Sequence, residues 1–261
     1  LFAIVSDIHA NLEAFSVVLE DIRSKGIETV YCLGDIVGYG PNPIECTRLV
    51  VKNCKFSIVG NHDYALIEGS TYGFNSKASN AIVFTRRVMM PGFFSFLNDK
   101  KKLWAYLKNM KNTQKVDNFY FVHGSPLDPI FEYVQHEDTE HLGFGYTKDF
   151  EKMFQEFEHI CFNGHTHKPL VIVQENNEYK SYIPENMNNE YQIKPGVKAM
   201  INAGSVGQPR DNNPNACYIT VDDKNLVKYI RLKYDVEATA KKIYNNPDLH
   251  DWLGERLAKG E

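Results

Sequence analysis

Long apolar runs are missing from this sequence. None approaches the roughly 18 residues that a membrane-spanning helix needs, and Leu1–Val5 is too short for the core of a secretory signal. The five cysteines, Cys32, Cys46, Cys54, Cys161 and Cys217, are odd in number and scattered, with no Cys-x-x-Cys pair. That speaks against a disulfide framework or a zinc ribbon and for reduced thiols in a cytoplasmic protein. Positive charge is not in excess: 29 Lys and Arg against 33 Asp and Glu give a net charge of -4. The broad basic face that duplex nucleic acid requires is therefore not expected, although a local basic pocket is compatible with this balance. No internal repeat, low-complexity tract or linker interrupts the 261 residues. One domain over residues 1–261 is expected, with a helical insertion at 64–111 near the active site and a C-terminal helical tail at 236–261. The sequence opens on Leu rather than Met, which leaves room for residues upstream.

What is present is a regular alternation of short apolar runs and helical patterns. Leu1–Val5, Thr29–Leu33 and Phe56–Val59 have the length of buried strands. Between the first two, Leu12, Phe15, Val18, Leu19 and Ile22 recur at helical spacing behind Asn11, a natural N-cap. Pro43 suits the first position of the next helix. Ala78–Arg87 and Phe93–Lys111 read as helices, and Phe119–Val122, Ile160–Phe162 and Lys198–Asn202 as strands around a helix at Phe150–Glu156. Hairpins are expected for 170–183 around Asn176-Asn177 and for 217–232, and helices for 236–244 and 249–257. Strand–helix alternation first and antiparallel signals later define an α/β chain. The aromatics Phe84, Phe93, Phe94, Phe96 and Trp104 are read as helical packing rather than as a cap on a nucleobase.

Five polar motifs punctuate this pattern: Asp7-Ile8-His9, Gly34-Asp35, Gly60-Asn61-His62-Asp63, His123-Gly124 and Gly164-His165-Thr166-His167. Singly each is a common turn or loop. Together and in order, at the ends of strands, they supply the oxygen and imidazole ligands that a pair of divalent cations takes. Asp7 and His9, two residues apart, point the same way in an extended segment, and the same spacing lets His165 and His167 reach different metals. Asp35 is the natural bridge, one carboxylate oxygen to each ion. Two such ions activate water and neutralise phosphoryl charge. His62, next to Asp63, suits a proton donor to a leaving alkoxide, with Asp63 orienting it or raising its pKa. Arg210 is a candidate contact for a substrate phosphate, and Asn42 and Tyr39, near Asp35, are candidates to line the same cleft. His136, His141, His159 and His250 lack such surroundings and are read as surface or structural residues.

The set resembles the calcineurin-like metallophosphoesterase superfamily, and the segments 34–43 and 204–210 resemble its small bacterial and archaeal phosphodiesterase branch. The resemblance implies a four-layer αββα sandwich of mixed sheets flanked by helices. It also implies one metal on Asp7, His9, Asp35 and His167, a second on Asp35, Asn61, His123 and His165, and His62 as the acid. The expected activity is hydrolysis of a phosphodiester or phosphomonoester bond of a small nucleotide-type substrate, by attack of a hydroxide bridging the two metals. Manganese is the default ion, with iron, zinc, nickel or cobalt as alternatives. A non-catalytic scaffold on the same fold and a single-strand nuclease are the competing readings; His62 favours the enzyme. A homodimer contact through the C-terminal helices is a further expectation.

Overall fold

β1 (Phe2–Val5) is apolar throughout because both of its faces are covered. Ala3 and Val5 pack towards helices, while Ile4 packs towards a second sheet. A computed structural model describes residues 1–92, 99–140, 145–176 and 178–261. In it β1 joins β2 (Val30–Cys32), β3 (Phe56–Ser57), β9 (Glu190–Gln192), β11 (Ala216–Val221) and β12 (Leu226–Leu232) in the order β3-β2-β1-β11-β12-β9. The first three strands run parallel and the remaining pairings are antiparallel.

The second sheet has the order β4-β5-β6-β10-β7-β8, from Thr113–Val116, Phe119–Val122, Ile160–Asn163, Ala199–Asn202, Leu170–Glu175 and Glu178–Tyr182 respectively. Its parallel part is β5-β6-β10. Ile4, Leu33, Ile58, Phe121, Phe162 and Ile219 fill the space between the sheets. Period-two alternation between two buried faces explains why these strands read as unbroken apolar runs.

Helices cover both outer faces and complete the αββα sandwich. α1 (Leu12–Ser24), α2 (Pro43–Asn53) and α5 (Lys100–Lys108) bury Phe15, Val18, Cys46 and Leu107 on the first sheet. α6 (Phe150–Gln155) sets Phe150, Met153 and Phe154 on the second. Asn11 caps α1 by accepting from Ala14 N–H at 3.1 Å, and Pro43 occupies the first turn of α2. α3 (Asn61–Glu68) starts directly at the third motif, and α4 (Ser76–Met89) follows. α7 (Val236–Tyr244) and α8 (Trp252–Glu255) turn back over the site, burying Ile243, Leu253 and Leu257 with Tyr39 and Phe84.

Some boundaries differ from expectation. The helix expected over 93–111 is observed as Lys100–Lys108, residues 93–98 lying outside those described, among them Phe93, Phe94 and Phe96. Trp104 packs on the core of the first sheet. The last helix shrinks to Trp252–Glu255. β4 and β9 were not expected at all: both are polar strands at sheet edges, where half-exposed residues leave no apolar alternation to read. Among the described residues no helix is long and apolar enough to cross a membrane.

Candidate metal centre

The parallel strands aim their carboxyl ends at one place, the position where open α/β sheets gather ligands. Asp7 follows β1, Asp35 follows β2, Asn61 follows β3, His123 follows β5 and His165 follows β6. All of these side chains are buried, as are His9 and His167. One ligand atom from each of Asp7, His9, Asp35 and His167 lies within 4.8 Å of the others, and Asp35, His123 and His165 form a second such group. Asn61 Oδ1 lies 3.3 Å from His123 Nε2, beside the second group.

Main-chain carbonyls fix the imidazole tautomers. His9 Nδ1 donates to Val37 O at 3.1 Å, His123 Nδ1 to Leu33 O at 2.7 Å, His167 Nδ1 to Gln208 O at 2.5 Å and His165 Nε2 to Phe131 O at 3.1 Å. The other nitrogen of each neutral ring is then a lone pair. These lone pairs face each other: His9 Nε2 is 3.0 Å from His167 Nε2, and His123 Nε2 is 3.1 Å from His165 Nδ1. Two lone pairs at that distance repel unless a cation stands between them. Asp7 Oδ1, buried and without a hydrogen-bond partner, adds an unsatisfied acceptor to the first group. The donor set therefore fits two cations.

Asp35 joins the groups in a way that differs from expectation. Its Oδ1 accepts from His62 N–H at 2.8 Å, while Oδ2 lies 3.5 Å from both His9 Nε2 and His123 Nε2. One oxygen, not two, faces both groups. The backbone at these motifs is not extended either: Asp7, His9, Asp35, His165, His167 and Tyr39 all have positive φ, between 46° and 67°. They converge because the chain turns left-handed after β1, β2 and β6, a conformation that Asp and His tolerate better than most residues. Gly60 permits the close approach of the third motif, since a Cβ there would sit 2.1 Å from Asp35 Oδ1.

Burial alone would raise the carboxyls of Asp7 and Asp35, yet the surrounding imidazoles outweigh it and hold both below the usual range. Burial lowers His9 well below its ordinary value and lowers His165 to about 3 and His167 as well. For His123 burial is outweighed by Asp35 and Asp7, which lift it to about 9. A proton can thus stand in for a cation in the His123–His165 pair, whereas His9 and His167 are both left neutral.

His62 sits in the first turn of α3, enclosed by the rings of Tyr39, His9 and Phe74 at 4.4, 4.9 and 4.9 Å between centroids. Its Nδ1 is buried without a partner, against Gly38, where a Cβ would stand only 2.3 Å away. Burial is the main reason that His62 is pulled down to about 4; Asp35 opposes this, and Arg210 and His167 reinforce it. The Asp63 carboxylate makes no hydrogen bond to the His62 ring. It accepts from the N–H groups of Gly60 and Ile36, both at 3.1 Å, and of Val37 at 3.3 Å. Adjacent residues on a helix point about 100° apart, so the neighbour in sequence is not the neighbour in space. Asp63 closes the start of α3 and ties it to the loop after Asp35. Its own pKa is pushed up to about 7, by burial and then by the charge of Asp35.

Arg210 Nη2 donates to Gln208 Oε1 at 2.9 Å and to Tyr39 Oη at 3.4 Å. Asn42 is the correction among the expected cleft residues: its Oδ1 accepts from Lys242 Nζ of α7 at 3.1 Å, and it lines neither cavity beside the centre. One of these cavities, about 300 Å³, is bounded by Tyr39, Asn61, His62 and His165. The other, about 320 Å³, is bounded by Thr166, Lys168, Arg210 and Arg231. His141 lies outside the described residues.

Several supporting residues escaped the sequence reading. Ser6 Oγ donates to Asp7 Oδ2 at 2.6 Å, and Ser205 Oγ to Asp7 O at 2.9 Å. Asn163 and Asn202, paired in register, donate to Gly124 O and Gly164 O and hold the loops bearing His123 and His165. Tyr133 stacks on His165 at 3.8 Å. The available signal was a buried amide or hydroxyl at the end of an otherwise apolar strand.

Residues 1–225 match the calcineurin-like phosphoesterase superfamily domain. The chain is 37% identical to an uncharacterized protein of Methanocaldococcus jannaschii, over 100% of this chain and 98% of the relative. A metallophosphoesterase from Sphaerobacter thermophilus is similar in structure, with a TM-score of 0.79 and 31% identity over 100% of this chain and 98% of that one. A hypothetical protein from Pyrococcus horikoshii shares the fold, with a TM-score of 0.73 at 19% identity, again over 100% and 98% of the two chains.

Proposed function

The chain belongs to the calcineurin-like phosphoesterase superfamily, and on that premise we propose that it hydrolyses a phosphodiester or phosphomonoester bond of a small nucleotide-type substrate with two divalent cations, manganese by default. The observation that carries this reading is the two pairs of facing imidazole nitrogens, His9 with His167 and His123 with His165, on either side of one Asp35 oxygen. Asp7, His9, Asp35 and His167 would hold one ion, and Asp35, Asn61, His123 and His165 the other. Bound there, the ions would supply Lewis-acid chemistry that makes water a nucleophile near neutral pH and offsets phosphoryl charge.

The chain's own residues do the rest. The oxygen of a water that has given one proton to solvent forms a bond to phosphorus, the bond to the leaving oxygen breaks, and that oxygen takes from His62 Nε2 a proton that His62 gained from solvent as the phosphate entered. Nδ1 is enclosed against Gly38, which leaves Nε2 to the cleft. His62 is neutral in the resting site, and the negative charge of an entering phosphate raises its affinity for a proton. Arg210 meets a non-bridging phosphate oxygen or a neighbouring phosphate, and Tyr39 fixes both Arg210 and the ring of His62. Asp63 is a positioning residue that holds the start of α3 against the Asp35 loop.

The test is metal content by mass spectrometry together with hydrolysis of bis-p-nitrophenyl phosphate and p-nitrophenyl phosphate, after chelation and after manganese is returned. Two ions per chain with restored turnover is the expected result, and the diester-to-monoester ratio then directs the choice of substrates. Two ions without turnover of either ester or of nucleotide esters would move the scaffold reading ahead.

A further inference from the structure

The cleft that contains Asn61, His62 and His165 has walls of an unusual kind. On one side, the loop between α3 and α4 presents Tyr72 and Phe74; on the other, the segment after His123 presents Phe131 and Tyr133. Tyr72 is 97% exposed, Phe131 47% and Tyr133 42%. A single exposed aromatic needs no explanation, but several around one concave site adjoining a reactive centre mark a binding surface. They are also tied to the centre. Phe74 meets the His62 ring edge-on at 4.9 Å, and Tyr133 lies flat on His165 at 3.8 Å.

Charge is distributed in the opposite sense. Among the described residues no Lys, Arg, Asp or Glu lines this cleft, whereas the adjoining cavity is lined by Lys168, Arg210 and Arg231 together with Glu137, Glu185 and Asp211, the last of which pairs with Arg231. An anionic portion of a ligand would be placed on the Arg210 side. The aromatic cleft would take a flat, uncharged group carried on the alcohol part of the ester at the centre.

We infer that the cleft walled by Tyr72, Phe74, Phe131 and Tyr133 is a subsite for the nucleobase of the substrate, holding the nucleoside on the leaving side of the phosphate, next to His62. The inference rests on the phosphoesterase reading above and deepens it. Stacking on aromatic faces and the absence of charge are the features that bind a base, and His62 in the same cleft places the leaving oxygen at that end.

The experiment measures binding of adenosine 5′-monophosphate and ribose 5-phosphate, which differ only in the base, to the manganese-loaded full chain by calorimetry. Hydrolysis of bis-p-nitrophenyl phosphate is followed in parallel. The expected result is that the nucleotide binds about tenfold or more tightly than the sugar phosphate, the scale of one base on an aromatic platform. Tyr72→Ala and Phe131→Leu, both at exposed positions, should together reduce that ratio to below about threefold. Equal binding of the two ligands by a protein that holds manganese and cleaves the diester overturns the subsite and leaves the phosphoesterase reading intact. A ratio that survives both substitutions overturns the placement of the base in this cleft. Failure to bind manganese or either phosphate overturns the underlying reading and the subsite with it.

Discussion

The floor of the site, where five strand ends meet, and the first turn of α3 hold their histidines by different means. His9, His123, His165 and His167 each give one ring nitrogen to a main-chain carbonyl. His62, equally buried, gives Nδ1 to nothing and is held by three neighbouring rings. A ligand must keep one tautomer and one direction, and a hydrogen bond to a fixed carbonyl secures both. A group that gains and loses a proton would be locked by such a bond. Packing fixes the plane of His62 while leaving its protonation free to change.

The largest effect that would sharpen this contrast is expected at Asp35. Asp35→Asn should lower bound metal below two ions per chain and reduce turnover on the order of 10³-fold, because several kcal/mol of charge stabilisation depend on the ions. Full metal content in this variant would remove Asp35 from the floor. His62→Asn comes next: kcat should fall by about 10²–10⁴-fold, the worth of a positioned acid, with metal content unchanged. A concurrent loss of metal would break the comparison, since His62 would then belong to the floor. A smaller effect is expected from Gly38→Ala. Its φ of +87° and the 2.3 Å approach to His62 Nδ1 leave no room for a Cβ. We expect about 1–2 kcal/mol of lost stability in chemical denaturation, with kcat reduced more than metal affinity.

The smallest effect concerns protons. With no metal, His123 has a pKa raised to about 9. A raised folded-state value means that its contribution to stability is full below about 6.5, the unfolded value, and is lost as pH rises through about 9. Metal binding requires the neutral ring. Loading at pH 7.5 should therefore release close to one proton per chain, seen as a calorimetric heat that depends on the ionisation enthalpy of the buffer. No buffer dependence would mean that His123 is already neutral and that its pair resembles His9 and His167.

Much of this was legible in the sequence, for identifiable reasons. The apolar run at Phe2–Val5 and the periodicity from Leu12 to Ile22 report burial directly, and each motif directly after such a run inherits a position at the sheet rim. What was not legible depended on direction. His62 and Asp63 are adjacent in sequence, yet a helix begins at Asn61 and turns them apart. Asp7 and His9 converge through left-handed backbone rather than through an extended strand. Asn42 faces α7, nearly 200 residues further along the chain. Phe74 and Tyr133 come from loops with no periodicity, so nothing in their spacing marked the cleft.

The left-handed backbone at Asp7, His9, Asp35, His165 and His167 also has a consequence for redesign. At these five positions the main chain selects residues before ligand chemistry does. Asp, Asn, His and Gly enter that conformation at little cost, whereas β-branched or bulky replacements do not. A search for altered metal preference that varies only these proposed ligands would draw on a short alphabet. The wider choice lies at positions of ordinary backbone, such as His123 and Asn61, and in the carbonyl-bearing loops that aim the rings.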